Sequence, residues 1–267
     1  MPKILVCGDI HGHIYHLFDL IREVEDRMHI RLDGVLQAGD MGVWSPMTKK
    51  VDGPTLKFAR KDPGELDLMN FIGQEDRAKG IAKERKWPRI WFVRGNHEDY
   101  EYLKSVKLGP IDPFELVWHI PGGKIVDVAG SKVGGIGGAY FQGISEKKQE
   151  KPCYTQPAEV KHLLIAKDLD IVLSHDAPHD MPKPGAGSPW LLSLIEYRAP
   201  RYVFSGHFHY IGRTLRYESE KGVTEAVLLN QIHAVYGKCE RFAGILDENG
   251  FEFIPKEIED GLNGRWY

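Results

Sequence analysis

The feature that most constrains this chain is a recurring figure in which a short apolar run stops and sets down polar, ligand-type residues. Ile4 to Cys7 runs into Gly8-Asp9-Ile10-His11, and Gly34 to Ala38 runs into Gly39-Asp40. Arg89 to Val93 runs into Arg94-Gly95-Asn96-His97-Glu98-Asp99. Asp170 to Leu173 runs into Ser174-His175-Asp176, and Arg201 to Phe204 into Ser205-Gly206-His207-Phe208-His209. A turn asks for Gly or Asn, but it has no need of imidazoles and carboxylates. Between the first two runs, Ile14, Leu17, Phe18, Ile21 and Val24 recur at helical spacing from Gly12 to about Met28. Strand, helix, strand, helix, strand predicts an α/β fold with a parallel core sheet.

The rest of the chain is read more coarsely. A Pro- and Gly-punctuated loop covers 41–64, and a helical stretch follows to about Lys86. Leu116–Ile120, Lys124–Val128 and Lys132–Ile136 read as short β-runs, Pro157–Lys167 as a helix, and Val223–Leu229, Phe242–Leu246 and Phe251–Ile254 as closing β-structure. With no repeat and no clean linker, the expectation is a single domain over residues 1–267.

Composition narrows the function classes. Hydrophobic residues at 42% and charged residues at 27% suit an ordinary globular core, and a net charge of −3 argues against a dedicated nucleic-acid surface while leaving room for a local basic patch. Three widely spaced cysteines, Cys7, Cys153 and Cys239, read as free thiols, so a reducing, cytoplasmic setting is expected. The N-terminus enters a strand without signal-peptide architecture, and no apolar run approaches the ~18 residues of a membrane span.

In open α/β sheets, ligands bind beyond the carboxyl ends of the strands. Five chain-distant segments therefore bring Asp9, His11, Asp40, Asn96, His175, His207 and His209 to one crevice. Imidazoles, carboxylates and an amide oxygen, with no thiolate, suit Mn, Fe, Co, Ni or Zn. Seven donors are too many for one tetrahedral ion and about right for two ions sharing a carboxylate. Such a pair, roughly 3.5–4 Å apart, clamps an in-line displacement at phosphorus with a bridging hydroxide as nucleophile.

The same blocks in the same order, Gly-Asp-x-His, Gly-Asp, Gly-Asn-His-Glu, a His after a strand, and Gly-His-x-His, resemble the calcineurin-like metallophosphoesterases. The resemblance implies a four-layer α/β/β/α sandwich. It also implies one metal held by Asp9, His11 and His209, a second held by Asn96, His175 and His207, and Asp40 bridging both. His97 would stand over the substrate, stabilise the charge of the transition state and protonate the leaving oxygen. Manganese is the favoured ion. "RIWFVRGNHEDYEYL", "VGGIGGAYF", "DIVLSHDAP" and "GSPWLLSLIEYRAPRYVFSGHFH" further resemble the RNA lariat-debranching branch. The chain departs from that branch at Asp9, where those enzymes typically carry Cys. It is also similar to the Ser/Thr phosphatases in "GDIHG" and "RGNHE". However, Gly39-Asp40-Met41-Gly42-Val43 lacks the second Asp and the Arg of their middle block, which leaves His97 without their acidic partner.

Other residues are read more plainly. Arg94 is either a phosphate ligand or half of a structural ion pair. "VGGIGGAYF" reads as a close-packed turn rather than a dinucleotide loop. Cys7 reads as a buried apolar residue. His13, His16 and His29 fit the surface of the first helix, His119, His162 and His233 have no motif around them, and His179 sits at a pocket rim. Loop 41–64, with Trp44, Lys49, Lys50, Lys57, Arg60 and Lys61, is a solvated loop or a flap over substrate. The function expected is hydrolysis of a phosphodiester or phosphomonoester, the substrate possibly a nucleotide or nucleic acid. One alternative is a nuclease on single-stranded or branched nucleic acid. Another is an inactive protein-binding scaffold, which would have lost ligands, whereas all seven positions are filled.

Overall fold

A computed structural model describes residues 2–144, 149–209, 212–233 and 239–266. Part of the 141–156 loop therefore lies outside the described residues. The first strands are β1 (Ile4–Cys7), β2 (Gly34–Gln37), β3 (Ile90–Phe92), β4 (Gly109–Pro110) and β5 (Val117–His119). Next come β6 (Ile125–Val128), β7 (Ser131–Ile136), β8 (Ile171–Ser174) and β9 (Tyr202–Ser205). The chain continues with β10 (Arg213–Ser219), β11 (Gly222–Leu228), β12 (Ala243–Asp247) and β13 (Gly250–Phe253).

These strands form two sheets. One has the order β13-β12-β1-β2-β3-β5-β4 and the other β10-β11-β9-β8-β7-β6. Each has a parallel centre, β1, β2, β3 and β5 in the first and β7, β8, β9 and β11 in the second, with antiparallel strands outside it. β1 finds one neighbour nearby in sequence and the other far away: Ile4 is level with Gly34 on β2 and with Leu246 on β12.

The two-residue period of a strand sorts side chains into layers. On β1, Leu5 and Cys7 join an apolar cluster with Ile14, Leu17, Phe18 and Ile21 of α1 (Ile14–Met28), while Ile4 and Val6 face the other way. On β8, Ile171 and Leu173 meet Ile4 and Val6 in the cluster between the sheets, and Val172 turns outward. There it packs with Val160 and Leu163 of one helix (Pro157–Leu164) and Leu191 and Leu194 of another (Pro189–Arg198). The result is the α/β/β/α sandwich. Because both faces of the central strands are covered, those strands are largely apolar on both faces rather than strictly alternating.

Several elements differ from the sequence reading. Loop 41–64 contains a helix, Gly53–Ala59, capped by the Asp52 side chain, which accepts from Thr55 N at 2.8 Å. Its seven residues span less than two turns and leave Leu56 and Phe58 exposed, so no apolar stripe betrays it. The stretch toward Lys86 is divided into Asp67–Ile72 and Asp76–Glu84. The helices Tyr100–Val106, Pro189–Arg198 and Lys256–Trp266 and strand β10 were not anticipated. His29 is exposed, but His13 is buried and His16 half-buried. His13 precedes α1 rather than lying on it, and its ring turns inward onto Ile10 O and Asp62.

His119 gives the fold an acid weakness. Burial pushes its imidazole down to about 4, despite the hydrogen bond from Nδ1 to Lys107 O (2.9 Å), and Nε2 is buried without a partner. The unfolded chain binds this proton at about pH 6.5 and the folded one only near the lowered value, so stability is lost as pH falls between the two. His119→Phe should therefore reduce by about 1 kcal/mol the stability difference between about pH 7.5 and about pH 5.5. Urea unfolding of both proteins at both values checks this; equal pH sensitivity would assign the loss elsewhere.

Candidate metal centre

The carboxyl ends of β1, β2, β3, β8 and β9 meet where the two sheets face each other. His11 N and Ile10 N both donate to Asp40 O (2.9 and 3.3 Å), tying the turn after β1 to the turn after β2. Gly206 N donates to His175 O (3.1 Å), and the His175 ring reaches across to Ala38 O with Nδ1 (2.9 Å). Two glycines of the recurring figure have a specific cause. A Cβ on Gly95 would overlap Asp40 Oδ1, and one on Gly206 would overlap Asp9 Oδ1. The space a side chain would need is filled by a carboxylate from another strand. His11, Asp40 and His207 are held in the left-handed region, with φ of 43°, 45° and 67°. Non-glycine residues rarely adopt it, and they cluster there at functional sites.

All seven expected donors come from these turns, and several face one another in ways that call for a cation. A carbonyl can only accept, so the proton of neutral His175 is on Nδ1. The lone pair of Nε2 then points at Asn96 Oδ1, 2.9 Å away, with Asp40 Oδ1 at 3.6 Å. His11 Nε2 and His209 Nε2 approach to 3.2 Å, and His209 Nε2 lies 2.9 Å from Asp9 Oδ2. Ligand atoms of Asp9, His11 and His209 fall within 4.8 Å of one another, as do those of Asp9, Asp40 and His175. His207 packs its ring edge-on to His175 at 4.9 Å, and its backbone N–H donates to both Asp9 oxygens at 3.1 and 3.2 Å. This oxygen and nitrogen donor set fits divalent ions of the borderline kind.

The electrostatics agree. Asp9 and Asp40 are buried, which opposes their charge, yet the surrounding imidazoles hold both carboxyls below the usual range. Burial pushes His11 and His207 down to about 4, which keeps them neutral with a lone pair to offer. Burial opposes charge on His209 as well, but its hydrogen bond to Asp9 prevails and raises it.

His97 stands beside this set with its own partner. Its backbone N–H donates to Asp40 Oδ1 (2.9 Å), and its ring Nδ1 lies 2.7 Å from Asp52 Oδ2. That hydrogen bond raises the imidazole to about 9 against the opposing effect of burial. The acid therefore comes from loop 41–64, which supplies at least one residue to the site. Glu98 is instead a buried staple, accepting from Met41 N (2.9 Å), Val43 N (2.6 Å) and Gly95 N (3.3 Å). Asp99 caps the helix Tyr100–Val106 through Tyr102 N (3.1 Å).

Arg94 takes the ion-pair alternative. NH1 is 2.6 Å from Glu159 Oε1, Nε donates to Pro152 O (2.8 Å) and NH2 to Tyr154 O (3.2 Å), so the guanidinium is engaged by the protein and buried. The turn in "VGGIGGAYF" is close-packed, because a Cβ on Gly137 would overlap the Arg94 side chain. Gln37, which no motif marked, donates to Gly8 O (3.1 Å) and Gly39 O (2.5 Å) and so holds the first two turns together.

Among known proteins, lariat debranching enzyme A of Xenopus laevis is 24% identical over 245 residues, which is 78% of this chain and 42% of that protein. The lariat debranching enzyme of Caenorhabditis briggsae is 23% identical over 250 residues, 78% of this chain and 46% of that protein. The chain thus spans less than half the length of these curated relatives. A solved structure from Thermus thermophilus covers 94% of this chain and 97% of that one with a TM-score of 0.56 at 15% identity, a likeness of fold. The family model described as calcineurin-like phosphoesterase matches residues 2–210. With that match over most of its length, and with a donor set suited to divalent ions at its strand ends, the chain belongs to the calcineurin-like phosphoesterases, which are metal-dependent phosphoester hydrolases.

Proposed function

We propose that this protein hydrolyses a phosphodiester at a centre of two divalent ions, with manganese the favoured metal. Asp9, His11 and His209 would hold one ion, Asn96, His175 and His207 the other, and Asp40 would be shared. Bound there, the ions would polarise the phosphoryl group and supply a nucleophile from water at neutral pH. His97 acts on the leaving side. With Nδ1 committed to Asp52, its Nε2 is the nitrogen left to face the substrate, and Asp52 stabilises the imidazolium that donates from it. The His97–Asp52 pair beside the buried donor cluster is the observation that carries this reading.

A diester is favoured on charge. It bears one negative charge, whereas a monoester dianion asks for further cations, and the guanidinium closest to the motif, Arg94, is already held by Glu159. The names of the curated relatives favour a second reading, a nuclease on branched or single-stranded nucleic acid. Phe141 gives it a physical basis: the ring is 45% exposed and lies edge-on to His207 at 6.2 Å. An exposed aromatic ring beside a metal ligand is a platform on which a base can stack.

Three outcomes are expected. In protein purified without chelator, Asp40→Ala should lose both ions by elemental analysis; full occupancy would remove Asp40 from the bridge. His97→Ala should keep its metals and lose roughly 10²–10⁴-fold in kcat, while Asp52→Asn, which only positions and charges the ring, should lose about tenfold with KM unchanged. Metal loss in either variant would point to a structural role instead. Finally, kcat/KM for bis-p-nitrophenyl phosphate should exceed that for p-nitrophenyl phosphate, and Phe141→Ala should raise KM for a short oligonucleotide about tenfold, as expected for one stacked base. A preference for the monoester would make this a phosphatase.

A further inference from the structure

A second cluster of ligand-type side chains lies outside the seven-donor set, and it joins parts of the chain that share no motif. His13 sits just before α1, Asp62 caps the short turn Pro63–Leu66, and His233 follows β11. Asp62 Oδ2 lies 3.1 Å from His13 Nε2 and 2.7 Å from His233 Nε2, and the three ligand atoms are within 4.8 Å of one another. They line a cavity of about 270 Å³ that is closed on one side by His16 and Trp266, whose rings stack at 4.6 Å.

The outward-facing atoms of His13 and Asp62 are already fixed. His13 Nδ1 lies 3.0 Å from Ile10 O and so carries the proton, which leaves the Nε2 lone pair aimed at Asp62. Asp62 Oδ1 accepts from Gly64 N (3.1 Å), which turns Oδ2 toward the two imidazoles. Protein metal sites hold their ligands in this way, with the far nitrogen or oxygen tied to backbone. A lone pair facing a carboxylate needs a proton or a cation between them. The His13 and His233 rings are 4.4 Å apart, and His16 is 5.0 Å from each, so the imidazoles crowd around one carboxylate. One dication would meet both Nε2 atoms and the carboxylate together.

We propose that His13, Asp62 and His233 form a separate site for a divalent cation, with zinc as the preferred ion. Two imidazoles and one carboxylate, with a fourth position open to water in the cavity, are a tetrahedral zinc set. Bond lengths of 2.0–2.1 Å place tetrahedral donors about 3.3 Å apart, so the two contacts to Asp62 Oδ2, 3.1 and 2.7 Å, need to open only slightly. Lys61 also lines the cavity. Asp62 lies in the same loop as Asp52, the partner of His97, so the ion would clip that loop to the start of α1 and to the segment after β11.

Chelator-stripped protein reloaded with Zn²⁺ alone, desalted and counted by plasma mass spectrometry tests the site. Wild type should hold one more equivalent than Asp62→Asn. An Asp40→Ala protein should retain one equivalent, and the Asp40→Ala/Asp62→Asn protein should retain none. His233→Gln, close in size to the native side chain, should reproduce the Asp62→Asn loss, with circular dichroism showing that each variant is folded. Equal counts with and without Asp62→Asn in both backgrounds would overturn the site, as would loss on Asp62→Asn that His233→Gln does not share. Failure of Asp40→Ala to lower the count would fall on the two-ion reading instead, because the Asp62 comparison is internal to each background.

Discussion

Two buried carboxylates, Asp9 and Asp40, set the terms for everything around them. Carboxylates removed from water cost several kcal/mol each unless they are paired and hydrogen-bonded. Here the compensation is built from backbone and rings. His207 N serves Asp9, His97 N serves Asp40, and His209, His11 and His175 bring imidazoles within reach. Gly95 and Gly206 leave the space the carboxylates occupy. The strained backbone at His11, Asp40 and His207 is the local expense of aiming donors inward from turns that must also reverse the chain.

Placement follows from the two-sheet arrangement. Asp9, His11, Asp40 and Asn96 come from one sheet and His175, His207 and His209 from the other, so a change in how the sheets pack would alter the distances between donors. The core between them, built from Val6, Leu36, Leu173 and Phe204 among others, therefore acts as the gauge of the site. Glu98 and Gln37 do the same on a smaller scale, stapling neighbouring turns through hydrogen bonds to the backbone.

The central strands, and the polar turns that gather the candidate donors, were readable in the sequence because a strand buried on both faces is mostly apolar and its end is marked by a change of chemistry. β10 was not, since it lies at a sheet edge with mostly exposed residues and shows no such run. The short helix Gly53–Ala59 exposes Leu56 and Phe58 and has no stripe to detect. Asp52 was invisible for another reason. It contacts His97 across a loop, and nothing local distinguishes it from the other acids of that stretch. The same holds for His13, placed on a helix surface by its position in sequence, whose ring is turned inward by contacts with Ile10 and Asp62.

The register of β1 has a consequence for how the chain is made. Asp9 sits at the end of a strand whose second neighbour, β12, brings Leu246 level with Ile4. On a ribosome, β1 emerges long before that partner exists and must wait with one edge open. Such non-local pairing slows folding and leaves a strand edge available to other chains in the interval. A nascent chain of this protein is thus open to aggregation while β1, the strand that ends at Asp9, is still half-paired.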